Sequence, residues 1–241
     1  SLTSEFVELD GSLGDDFHAY HNEGHILDIL DGRIGRLIET HGIFVLGLRE
    51  WCALNLFAGC HDLRQREEAA YQAGVGANER ASIEETFRLL DACGFSRTAD
   101  ADLYRALDLM IAGSTFDARP PPGGAAFNAA ELVQSGGAMA AQLAQKLDKH
   151  SPGWREDAGM VQAHALALVA ADLDTANVAE PFVRFAGSAE NLCLEREMLC
   201  QRDLDASPSA KPVLDFLTDG QQRFFFELHR FNSELGKSTF G

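Results

Sequence analysis

The chain has 241 residues, 46% hydrophobic and 24% charged, the composition of a folded globular protein and not of a disordered one. Thirty-seven acidic residues against 20 basic ones give a formal charge of −17, which excludes general nucleic-acid binding because such a surface repels a phosphate backbone. No apolar run free of charge reaches the ~18 residues of a membrane span, so none is expected.

Helical periodicity begins with Ile26, Ile29, Leu30, Ile34, Leu37 and Ile38, which recur at steps of three and four and form one stripe. From Leu46 to Cys60 the chain is apolar on nearly every side, as in a helix crossing the middle of a core. Ile83, Phe87 and Leu90 repeat the stripe until Gly94 offers a left-handed cap. Leu103, Leu107, Met110 and Ile111 mark a further helix ended by Gly113. The stretch Ala118–Gly124, with Pro120, Pro121 and Pro122, is a loop and a candidate lid. Helices are expected again over Ala129–Leu147, weakened at Gly136 and Gly137, and over Asp157–Val178, Ala189–Asp203 and Pro212–Glu234. Pro212 suits a first helical turn. Hairpin signals are nearly absent and no repeat is visible. The expected fold is all-α, a compact orthogonal helical bundle over residues 1–241 as a single domain. Cys52, Cys60, Cys93, Cys193 and Cys200 are odd in number and widely spaced, which reads as reduced thiols in a cytoplasmic protein.

Two places break the helical pattern with chemically pointed residues. Tyr20-His21-Asn22-Glu23-Gly24-His25 sets two imidazoles four residues apart, about 40° of rotation if the segment is helical. Cys60-His61-Asp62 directly follows the apolar run. A buried aspartate beside a histidine costs several kcal/mol unless compensated, and a divalent cation compensates well. Imidazole nitrogen with carboxylate oxygen suits Zn, Fe or Mn, while Mg favours the oxygen ligands. A third acid, Asp172 in Ala170-Ala171-Asp172-Leu173-Asp174, ends an apolar helix with no basic partner nearby in sequence. Each feature alone is ordinarily a satisfied or solvated side chain. The three together, each abutting a buried helix, point to a metal site.

In this order the residues resemble the HD superfamily of metal-dependent phosphohydrolases, and most of all the catalytic domain of class I cyclic nucleotide phosphodiesterases. Tyr20, His21, Asn22 and His25 match the family's Tyr-His-Asn-x-x-His, and His61-Asp62 follows forty residues after His21. Ala171-Asp172-Leu173 matches the later metal aspartate, and Gln221 with Phe224 matches Gln-x-x-Phe. Asn78-Glu79 before Phe87-Arg88-Leu89-Leu90 resembles the helix whose glutamate supports metal-bound water. The likeness runs from Tyr20 to Phe231.

The resemblance implies a bundle of the HD/phosphodiesterase type with two divalent ions drawn from Zn, Mg, Mn and Fe. It implies hydrolysis of a cyclic nucleotide or similar small phosphodiester through a metal-activated water. It assigns His25, His61, Asp62 and Asp172 to the tighter metal, with Asp62 bridging to the second, and His21 to general-acid duty. Glu79 would orient His21 or a metal water, Tyr20 would border the pocket, and Gln221 and Phe224 would hold a purine. Spacing alone leaves open that His21 and His25 ligate one ion together. Asp174 reads as a helix-end acid, and His41, His150, His164 and His229 as structural or exposed. The chain departs from the family at Gln65, where a second histidine is usual, at Thr175, where a purine-facing asparagine would fall, and at Ser114, where an acid would fall. A nucleotide phosphohydrolase acting on mono- or triphosphates is the nearest rival, with Arg64 and Arg66 beside the His-Asp pair. A non-catalytic HD sensor module is another. The expected partner is a small phosphoester or nucleotide, and the oligomeric state is left open.

Overall fold

The computed structural model describes residues 18–65, 76–117, 137–199 and 204–241. The fold is all-α, as expected. Helix α1 (Glu23–Leu27) runs through a π-helical stretch (Asp28–Ile34) into α2 (Gly35–His41). A 3₁₀ turn follows, then α3 (Leu48–Cys60), α4 (Ala77–Ala92) and α5 (Ala101–Ser114). Strands β1 (Phe116–Asp117) and β2 (Gly137–Ala138) pair antiparallel, the only ladder among the described residues. Helices α6 (Ala140–His150), α7 (Ala158–Thr175) and α8 (Phe182–Leu199) come next. Helix α9 (Ala210–Asp215) continues through two π-helical turns to Leu228, and α10 (Glu234–Phe240) closes the chain.

The apolar stripes are buried where their periodicity put them. Ile26, Ile29, Ile34 and Leu37 meet Trp51, Leu54, Phe57 and Ala58 of α3 in one core, with α5 and α7 packed along each other inside it. Ala163, Ala167 and Ala170 let α7 approach closely, and a Cβ placed on Gly113 of α5 would meet Ala167 at ordinary van der Waals distance. Gly94 adopts φ +88°, and Phe95 N–H reaches Leu90 O at 3.1 Å, the left-handed cap anticipated for α4. A smaller cluster of Ala189, Cys193 and Phe216 joins α8 to the α9 segment.

Three helix boundaries differ from expectation. Helix α8 starts at Phe182 because Pro181 accepts its first hydrogen bonds, from Arg184 and Phe185 N–H. The segment ahead of α6 is a short strand at residues 137–138, not helix. The final helix breaks at His229, because the backbone N–H groups of Asn232 and Ser233 bond to Asp172 instead of to a preceding turn. The loop Ala118–Gly124, residues 129–136 and residues 200–203 lie outside the described residues, as does Arg66. No helix among the described residues is long and apolar enough to cross a membrane.

Candidate metal centre

The Tyr-His-Asn turn is built by Asn22. Its Oδ1 accepts from Gly24 N–H at 2.8 Å and His25 N–H at 3.4 Å, while its Nδ2 donates to His18 O and Ala19 O, both at 3.0 Å. Asn22 is therefore the N-cap of α1. His21 precedes the helix and His25 sits in its first turn, so the helical rotation expected for the pair does not apply. Their rings stand 6.3 Å apart at 81° and serve different places.

His25 turns inward to His61 and two carboxylates. The ligand-type atoms of His25, His61 and Asp174 lie within 4.8 Å of one another. His25 Nε2 is 3.1 Å from Asp174 Oδ1 and 3.7 Å from Asp62 Oδ2. His61 Nε2 is 2.9 Å from Asp62 Oδ2 and 3.4 Å from Asp174 Oδ1. His61 Nδ1 faces the carbonyls of Phe57 and Ala58, each at 3.2 Å. A carbonyl can only accept, so Nδ1 carries a proton, and Nε2 is the nitrogen left for a second proton or a cation.

Two atoms at the centre are orphans. His61 Nε2 and Asp62 Oδ2 are buried and neither makes a well-aligned hydrogen bond, although they face one another. Buried polar atoms are ordinarily satisfied, and a cation shared by both would satisfy them. The donor set of two imidazole nitrogens and two carboxylate oxygens fits Zn, Mn or Fe. Asp62 is steered by its other oxygen: Gln65 Nε2 donates to Oδ1 at 2.6 Å, and Asn78 Nδ2 donates to Gln65 Oε1 at 3.0 Å. Gln65 thus orients a carboxylate where the family resemblance led to a histidine.

Electrostatics agree with the geometry. Burial opposes ionisation of both acids, but His61 and His21 hold Asp62 down at about 2. Burial likewise opposes charge on Asp174, yet His25, hydrogen-bonded to it, and His61 beside it keep it well below the carboxylate range. Burial pushes His25 down toward its neutral form. Burial also disfavours a charge on His61, but Asp62 and Asp174 together raise it well above an ordinary histidine. A proton there occupies the place a cation would take, and the two compete.

The second carboxylate beside the histidines is that of Asp174, not Asp172. The two residues are about 200° apart around α7. Asp172, fully buried, faces the far side and accepts from Asn232 N–H (2.7 Å), Asn232 Nδ2 (3.1 Å), Ser233 N–H (2.7 Å) and Ser233 Oγ (2.6 Å). Ser233 in turn caps α10, and a Cβ on Gly236 would stand 2.1 Å from Asp172 Oδ2, so only glycine fits there. Asp172 is a structural latch. Asp172→Ala is expected to cost about 3 kcal/mol, because two buried N–H groups lose their acceptor. Urea denaturation measures it, and an unchanged midpoint would contradict the assignment.

His21 belongs to a second group. Its Nδ1–H donates to Glu195 Oε1 over 2.6 Å, and Glu195 Oε2 accepts the backbone N–H of Tyr20 (2.8 Å) and His21 (3.1 Å). His18 Nδ1 shares Oε1 at 3.3 Å. Burial disfavours the imidazolium, but Glu195, with Asp62 and Asp174 behind it, raises the His21 pKa to about 9. Glu195 is itself held well below its usual value: burial opposes this, and His21 and His18 overcome it. The orienting carboxylate is therefore Glu195 of α8, where the resemblance pointed to Glu79.

Glu79, in the first turn of α4, is close enough to feel the centre. Burial raises its pKa, Asp62 and Asp174 add to the rise, and His21 opposes it. Tyr20 packs its ring on His21 and His25, each at 4.9 Å between centroids. Phe224 lies against Phe116 and His229, each at 5.6 Å, and His229 reaches Thr175 Oγ1 at 3.1 Å. Phe224 is thus linked to the residue after Asp174, with two neighbouring rings beside its own. Gln221 is half-buried on the same segment. Ser114 bonds its own helix at Ile111 O.

Sequence reasoning missed Glu195 and set Asp174 aside. Glu195 sits in a Glu-Arg-Glu run that resembles a solvated helix face, yet it is only 3% exposed. No protein-family model matches this chain, and no curated protein matches it.

Proposed function

We propose that this chain is a divalent-metal-dependent phosphohydrolase of the HD type, hydrolysing a cyclic nucleotide or similar small phosphodiester in the cytoplasm. The observation that carries the reading is the pair of orphaned buried atoms, His61 Nε2 and Asp62 Oδ2, where Asp62 meets the His25–His61–Asp174 cluster. His25, His61, Asp62 and Asp174 would hold the cation. When bound, the cation neutralises phosphoryl charge and lowers the pKa of a water from about 15.7 toward about 7.

The chain's own residues supply the rest. His21, protonated at neutral pH, stands beside the centre as the group able to protonate a leaving alkoxide. Glu195 fixes its ring and keeps its proton. The charge balance favours a diester over a triphosphate. Three carboxylates (Asp62, Asp174 and Glu195) face the imidazoles, and the buried guanidinium nearby, Arg33, is engaged by backbone carbonyls.

The test is hydrolysis of bis-aryl phosphate, cyclic nucleotides, nucleoside monophosphates and dNTPs by purified protein, metal-stripped and then supplied with Mn²⁺ or Zn²⁺. Diester cleavage is expected only with metal, and triphosphate turnover should be weaker. Metal binding without turnover of any substrate would leave a sensor module, and dNTP preference would favour the nucleotide phosphohydrolase.

A further inference from the structure

Arg33 is a charged residue on an apolar stripe. It lies four residues after Ile29 and four before Leu37, both fully buried, and is itself 4% exposed. A guanidinium in that position is costly unless its donors are satisfied, so its partners reveal what it does. Nη1 donates to Leu173 O at 2.8 Å and, more closely still, to Asp174 O. Nε donates to Glu180 Oε1 at 3.4 Å. Arg184 then ties Glu180 (3.2 Å) to Asp28 (2.6 Å), which closes the network back onto the π-helical stretch that carries Arg33.

The last carbonyls of a helix have no partner within it, and α7 ends at Thr175. Arg33 takes the two carbonyls on either side of the Asp174 Cα, and its positive charge suits the negative end of that helix. The backbone that aims Asp174 is therefore fixed from a different element, α1–α2, which also delivers His25. Irregular π-helical turns often mark functional positions, and this one carries a clamp.

We propose that Arg33 is a positioning residue for the metal centre: by gripping the carbonyls of Leu173 and Asp174 it holds the Asp174 carboxylate toward His25 and His61. This deepens the proposed function and rests on it for its purpose, although the grip on Asp174 is testable without metal.

Arg33→Lys keeps the charge and loses the planar fork. Two readouts separate positioning from simple stabilisation. In Co²⁺ titrations followed by visible absorption, the folded variant is expected to bind about 10–100-fold more weakly than wild type, with an altered band shape at saturation. In metal-free protein at one fixed pH, the ring-nitrogen shifts of His25 and His61 should move, while those of His164, tilted against the Trp154 ring, stay. Wild-type affinity, band shape and ring shifts in the folded variant would overturn the proposal. If wild type itself takes no Co²⁺, the metal reading fails, and the ring shifts alone decide whether Arg33 holds Asp174. Should circular dichroism show Arg33→Lys unfolded, Glu180→Gln loosens the guanidinium from one side. It should then give the same changes in smaller degree, and no change would overturn the proposal.

Discussion

Asp174→Ala is expected to abolish tight divalent-metal binding and, with it, phosphodiester hydrolysis, while the protein stays folded and helical. The carboxylate stands within ligand distance of both histidines, at 3.1 Å from His25 Nε2 and 3.4 Å from His61 Nε2. Its removal leaves two imidazoles and Asp62, one donor short of the four that close a typical zinc site. Loss of a direct ligand should exceed the ~10–100-fold that outer-shell changes cost in affinity. Isothermal titration with Zn²⁺ or Mn²⁺ measures it. The matched control is Asp172→Ala, which should bind metal once folded but unfold at lower urea. If the two variants exchange behaviours, Asp172 is the ligand.

The second large effect concerns His21. His21→Ala is expected to keep its metal and lose about 10²–10⁴-fold in turnover, because His18, the other imidazole held to Glu195 among the described residues, stands farther from that carboxylate, at 3.3 Å against 2.6 Å. The pH profile adds a signed test. A general acid works in its protonated form, and the carboxylates around His21 raise its pKa to about 9 in the metal-free fold. A bound cation offsets the share of Asp62 and Asp174 in that rise, so turnover should decline as pH rises, with a midpoint below that value. Glu195→Gln removes the anion that stabilises the imidazolium, so the alkaline limb should move to lower pH. A limb unmoved by Glu195→Gln would remove His21 from the proton transfer.

Helix positions and the inward-facing stripes were legible because they depend on local periodicity, and the His61-Asp62 pair was legible because it terminates a wholly apolar helix. The choice between Asp172 and Asp174 was not. Both sit at the end of one buried helix, and which face meets the histidines depends on how α7 is rotated against α1 and α3. Rotation is set by Arg33 on one side and by the Asp172–Ser233 latch on the other, both far away in sequence. Glu195 was hidden for a similar reason: a buried acid within a charged run shows its burial only when its partner, His21, arrives from 174 residues earlier. The break after Leu228 is likewise tertiary, since no glycine or proline marks it and the acceptor for the freed N–H groups lies on α7. Asn22 illustrates the opposite case. It belongs to the Tyr-His-Asn motif, and its observed work is capping, which leaves His21 ahead of the helix and His25 inside its first turn.

The proposed activity requires a cation gripped by four side chains. Anomalous scattering at the metal edge, from crystals grown with Mn²⁺ or Zn²⁺, tests it most directly. The expected peak lies about 2.0–2.2 Å from His25 Nε2, His61 Nε2 and carboxylate oxygens of Asp62 and Asp174, with Asp172 still bonded to Ser233. A map without a peak there, or with its peak against Asp172, would contradict it.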